Sequence, residues 1–282
     1  MIHGAGLHPL EPITFKLFVG LYFLSFVLFF VYAVTRRESL GRTATILLGI
    51  GFLANTVNLV ARGMAAGRVP FSNLYESLVI FMWGITVCLI WFMARWRLYL
   101  IGTVTLPLVL AMAFYATTVR QDVESLMPAL KSDWMVYHVA TAIIAYGAFA
   151  VSFGLAILYL ARDFLERRNS GSRFLEIIPD LEKLDTLIYR VIAFGFPFLV
   201  LLIITGAIWA EQAWGQYWSW DPKETWSLIT MLIYAGFLHA RYFLKWRGRL
   251  SAFFAIIGFI SVVFCYIGVN LFLSGLHSYG SK

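Results

Sequence analysis

The chain has 282 residues, of which 61% are hydrophobic, 17% aromatic and only 13% charged, with a mean hydropathy of +0.79. An ordinary soluble domain, in which about 25% of residues are charged, is excluded by those fractions. So is a nucleic-acid binder: the formal charge is +7, but the basic residues stand in short clusters between apolar runs and line no single face.

Apolar runs of roughly 20 residues, each long enough at ~1.5 Å per residue to cross a ~30 Å hydrocarbon core, predict an all-α integral membrane protein with about eight transmembrane helices. In chain order the predicted spans are 14–34, 43–61, 74–94, 98–117, 134–161, 186–210, 224–244 and 251–273, a single polytopic membrane domain over 1–282. The segment before the first run has no basic stretch, and no small-residue cleavage site follows the run, so it reads as a retained helix. Cys88 and Cys265 lie in different apolar runs, share no metal-type spacing and read as packing residues.

The connections divide by charge. Those after the first, third, fifth and seventh spans carry Arg36, Arg37 and Arg42; Arg95 and Arg97; Arg162, Arg167, Arg168, Arg173 and Lys183; and Arg241, Lys245, Arg247 and Arg249. The opposite connections hold only Arg62, Arg68, Arg120, Lys131 and Lys223. By the positive-inside rule both termini then face away from the cytoplasm, as does the connection between the sixth and seventh spans.

Two outward connections have unusual texture. "RGMAAGRVPFSNLYES", at 62–77, mixes turn residues with a helix start, and either Ser72 or Asn73 is a candidate N-cap. It is either a capped entrance to the third span or part of a ligand site. The second, "WGQYWSWDPKET" at 214–225, is the more pointed. Three tryptophans and Tyr217 suit an interfacial aromatic belt. However, Gly215 and Pro222 turn the chain tightly and Asp221, Lys223 and Glu224 set charges beside the rings, a combination that suits a flat apolar ligand with carboxylate arms. In that reading Lys223 balances a carboxylate, Asp221 or Glu224 fixes the loop or starts the seventh helix, and Trp226 extends the wall.

The histidines sort by position. His3 and His8 precede the first span, whereas His138, near the outer end of the fifth, and His277, just past the eighth, belong to the same membrane face as the tryptophans. Each alone suits interfacial decoration; together they suit the axial ligation of a haem iron, with the tryptophans as its apolar wall. His239 lies about fifteen residues inside the seventh span, ~22 Å from its outer end. A ring at that depth serves either an interhelical hydrogen bond or a second, inner ligand position.

The run Trp-Gly-x-x-Trp-x-Trp-Asp-x-Lys-Glu, from Trp214 to Glu224, resembles the WWD signature of haem-handling proteins of cytochrome c biogenesis. With "FSNLYES", the histidine spacing and the eight-span length, the chain resembles the CcsA (ResC) family of System II. That resemblance implies a haem-binding and haem-delivering subunit of a cytochrome c synthase, a haem lyase whose activity is shared with a CcsB/ResB-like membrane chain. By the same resemblance Trp214, Trp218, Trp220 and Asp221 of a loop at about 210–226 bind haem b as a non-covalent substrate, with Lys223 beside them. His138 and His277 become its iron ligands, and His239 belongs to a cytoplasmic admission route. The chain supplies no nucleophile: the attacking thiols come from the Cys-x-x-Cys-His segment of an apocytochrome c, kept reduced by thiol-reducing pathway proteins. The implied membrane is the bacterial plasma membrane, with the thylakoid as the alternative. Rival readings are a CcmC-like haem carrier that hands haem to a chaperone, a respiratory haem subunit, and a transporter of another solute. Buried histidine pairs on facing helices would favour the second, and paired intramembrane acids the third.

Overall fold

The computed structural model describes residues 8–123, 126–168, 171 and 173–273. Among them eight long helices follow one another without a strand: α1 Leu10–Thr35, α2 Glu38–Ala66, α3 Leu74–Trp96, α4 Ile101–Ala116, α5 Asp133–Arg167, α6 Leu181–Trp214, α7 Pro222–Phe243 and α8 Arg249–Phe272. All but α4 and α7 are long and apolar enough to cross a membrane. α4 has 16 residues, and α7 is diluted by Lys223, Glu224, Ser227, His239 and Arg241. The chain is an all-α integral membrane protein.

The helices form two compact units, one ending at Met127 and one starting at Pro128. In the first, α1 packs on α2 and α4, and α3 on α2 and α4. At the end of this unit that carries Asn73, the fully buried Arg62 donates through Nη1 to Glu11 Oε1 (3.0 Å) and through Nε to Glu76 Oε1 (3.0 Å). It also donates to the carbonyls of Gln121 and Asp122. Arg68 adds a second pair to Glu76, at 2.9 Å. Removing one member of such a network leaves a buried charge uncompensated, at a cost of roughly 3–5 kcal/mol. Asn73 supplies the N-cap of α3 by accepting from the Glu76 amide at 2.8 Å, and Glu76 in turn accepts from the Ser72 amide at 2.8 Å. The texture of 62–77 is thus the chemistry of a capped helix start tied down by buried ion pairs.

In the second unit α5 packs on α6 and α8, and α7 on α6 and α8. A stack runs through all four helices. Phe149 of α5 lies over Gly195 of α6 and stacks on Tyr234 of α7, with centroids 3.8 Å apart and planes within 12°. Tyr234 in turn rests on Gly258 of α8, where a Cβ would lie 2.6 Å from the ring. Glycines at the two ends let the rings close to contact. Toward the end of the unit that carries Asp221, α8 widens into a π-helical turn, Phe264–Gly268. Phe264 packs there on Trp226, with centroids 4.2 Å apart. Cys265 Sγ meets the Lys223 carbonyl (3.7 Å) and the Tyr146 side chain, which confirms its packing role.

Candidate functional site

The tryptophan-rich connection is shorter than the sequence reading has it. α6 runs on to Trp214 and stops at Gly215, whose φ of +76° suits the left-handed C-cap and whose amide donates to the Glu211 carbonyl at 2.7 Å. Trp214 is therefore a helix residue, and only 215–221 form the loop. α7 begins with a complete capping box: the Asp221 side chain accepts from the Glu224 amide as well as from that of Lys223 (2.9 Å), Glu224 Oε2 accepts from the Asp221 amide (3.1 Å), and Pro222 occupies the first turn.

Glu224 does more than close the box. Its Oε2 also accepts from the Ser219 amide at 2.8 Å, so a single carboxylate holds the peptides on both sides of Trp220. Trp220 itself has φ +58°, a left-handed conformation that is a genuine outlier for a bulky side chain and persists only when its surroundings over-determine it. The result is an indole held out from the fold, 68% exposed, with Tyr217 beside it in the loop at 61%. Trp218 meets Trp220 edge to face at 5.6 Å. Its Nε1 is buried and has no hydrogen-bond partner among the described residues. Lys223 is half-buried in the first turn of α7.

His138 stands in the second turn of α5, against the last turns of α6. Its Nδ1 lies 2.9 Å from the Leu202 carbonyl oxygen. A carbonyl only accepts, so Nδ1 carries the proton and, in the neutral ring, the lone pair resides on Nε2. The imidazole lies 5.8 Å from the Trp209 ring, which in turn meets Trp214 at 5.2 Å. Trp209 is almost fully buried and donates from Nε1 to the Ala129 carbonyl at 2.8 Å. The fold thus assembles His138, Trp209 and Trp214 on α5 and α6, and Trp218 and Trp220 in the loop that follows.

No sequence pattern marks Trp209 or Gly206 as part of the site. The only signal for Trp209 was an aromatic five residues before Trp214, which inside an apolar span looks like any other core ring. His239 lies on the exposed face of α7, its ring 4.7 Å from Phe243, and forms no interhelical hydrogen bond among the described residues. Below it, Arg241 pairs with Asp185 of α6 at 2.6 Å. His3 and His277 lie outside the described residues.

The donor set suits a flat, iron-bearing ligand with carboxylate arms. An imidazole offers nitrogen, indoles offer apolar faces, and the Trp218 N–H has no acceptor among the described residues.

The chain matches the cytochrome C assembly protein family over residues 71–277. The cytochrome c biogenesis protein CcsA of Guillardia theta is 43% identical over 244 residues, 80% of this chain and 81% of the relative. That of Synechococcus sp. (strain CC9902) is 38% identical over 296 residues, 94% of this chain and 97% of the relative. Among solved structures, the cytochrome c heme lyase CcmF superposes with a TM-score of 0.67 at 17% identity, over 94% of this chain and 47% of that one. The chain spans about half of that protein's length, and the likeness is one of fold.

Proposed function

The chain belongs to the family of cytochrome c assembly proteins and has a role in cytochrome c biogenesis; from that premise we propose that it binds haem b as a substrate at the outer membrane face and presents it for covalent attachment. His138 and His277 ligate the iron, and Trp214, Trp218 and Trp220 form the wall. Asp221 holds the loop and Lys223 balances a propionate. The observation that carries this reading is that one unit holds both His138, whose Nδ1 donates to the Leu202 carbonyl, and a buried Trp218 Nε1 with no partner among the described residues, a nitrogen ligand and a hydrogen-bond donor.

In the reaction itself, two thiols of an apocytochrome Cys-x-x-Cys-His segment add S–H across the haem vinyl groups, forming two C–S bonds with no leaving group. The contribution of this chain is orientation and proximity. A CcsB/ResB-like membrane chain completes the synthase, thiol-reducing proteins keep the cysteines competent, and His239 serves haem admission from the cytoplasmic side. Both termini and the tryptophan loop face outward from a bacterial plasma membrane.

The test is spectroscopic. The purified chain with its partner is expected to carry a low-spin haem spectrum that His138→Ala or His277→Ala abolishes, and that added imidazole restores. A spectrum unchanged in both variants removes the ligand assignment.

A further inference from the structure

His138 can point its Nδ1 at the α6 backbone only because position 206 has no side chain. A Cβ built on Gly206 would lie 2.8 Å from His138 Nδ1 and 2.9 Å from its Cε1, closer than unbonded atoms approach. A helical side chain covers the turn on the N-terminal side of its own Cα. A side chain at 206 would therefore cover the turn that contains the Leu202 carbonyl. With glycine there, that oxygen accepts from Thr205 Oγ1 (3.2 Å) and still meets the imidazole at 2.9 Å. One turn further along α6, the Trp209 ring closes the notch at 5.8 Å.

We infer that Gly206 is a positioning residue for the haem ligand: the notch it opens in α6 seats the His138 imidazole, fixes its Nδ1–H tautomer and so directs Nε2 toward the iron. Outer partners of this kind set ring orientation and ligand basicity in histidine-ligated sites generally. The inference rests on the reading of His138 as a ligand, and its test separates the two.

The full chain is titrated with haemin in detergent as wild type and as Gly206→Ala, His138→Ala, His138→Ala/Gly206→Ala and Gly49→Ala. Gly49 has open space around its Cβ position and controls for adding a methyl to a helix. The expected result is that Gly206→Ala loses the low-spin spectrum, becomes five-coordinate high-spin as His138→Ala does, and recovers the low-spin form on adding imidazole. Gly49→Ala keeps the wild-type spectrum. If Gly206→Ala fails to fold, the double variant decides: folding restored by removing the imidazole supports the inference, and continued failure overturns it. A Gly206→Ala protein with the wild-type spectrum and midpoint potential, beside a His138→Ala protein that has lost both, overturns the inference and leaves the ligand reading intact. A low-spin spectrum retained in His138→Ala overturns the ligand reading itself.

Discussion

Two side chains in the site carry conformational or polar costs. Trp220 is held in a left-handed backbone conformation with its indole in the open, and Trp218 buries an N–H that finds no acceptor among the described residues. A buried unsatisfied donor costs about 1–3 kcal/mol, so replacing the indole with a smaller apolar ring removes that cost and offsets the ring contact it gives up. Trp218→Phe is therefore expected to keep the thermal midpoint of the unliganded protein while weakening haem retention by about tenfold, the value of one hydrogen bond of ~1.4 kcal/mol. Haemin titration alongside a melting curve reads both quantities. A lower midpoint with unchanged affinity would assign the N–H to the fold.

Among the elements, the start of α7 shows why the motif has its particular composition. Asp221 caps, Pro222 presets the first turn, and Glu224 reaches back to the amides of Asp221 and Ser219, so the polar half of the motif builds the turn that displays the aromatic half. Asparagine caps as well as aspartate does, whereas alanine loses about 1 kcal/mol. Asp221→Asn is accordingly expected to melt like the wild type, and Asp221→Ala a few degrees lower. The haem spectrum of the two variants then separates the roles of the residue. Loss only in Asp221→Ala identifies a cap, whereas loss in both shows that the carboxylate charge itself acts on the ligand.

At the scale of the whole molecule, the charge asymmetry of the connections makes a topological claim that labelling can check. Tyr217 is well exposed in the loop, and the native cysteines sit in helices, Cys265 buried and Cys88 half-buried. Tyr217→Cys in intact cells is expected to react with a membrane-impermeant maleimide, whereas Arg37→Cys, in a basic connection, is expected to react only after lysis. The reverse pattern would invert the orientation and place the tryptophans on the cytoplasmic side. The buried Arg62 network belongs to the first unit, as do α1 and α2, which lie before the family match begins at residue 71.

Composition and apolar run length determined the class and the approximate spans by themselves, because the hydrocarbon core demands long apolar helices whatever packs beside them. Local chemistry was legible where it acts over a few residues: the cap at Asn73 and the helix start at Asp221 and Glu224 follow from side chains reaching amides of the same or the adjoining turn. Contacts between helices were not. That Trp209 meets the imidazole, that Gly206 is empty where His138 needs space, and that His239 faces outward from α7 depend on the rotation of one helix against another. Inside apolar spans nearly every face is hydrophobic, so no periodicity records that rotation, and only close packing between the helices decided it.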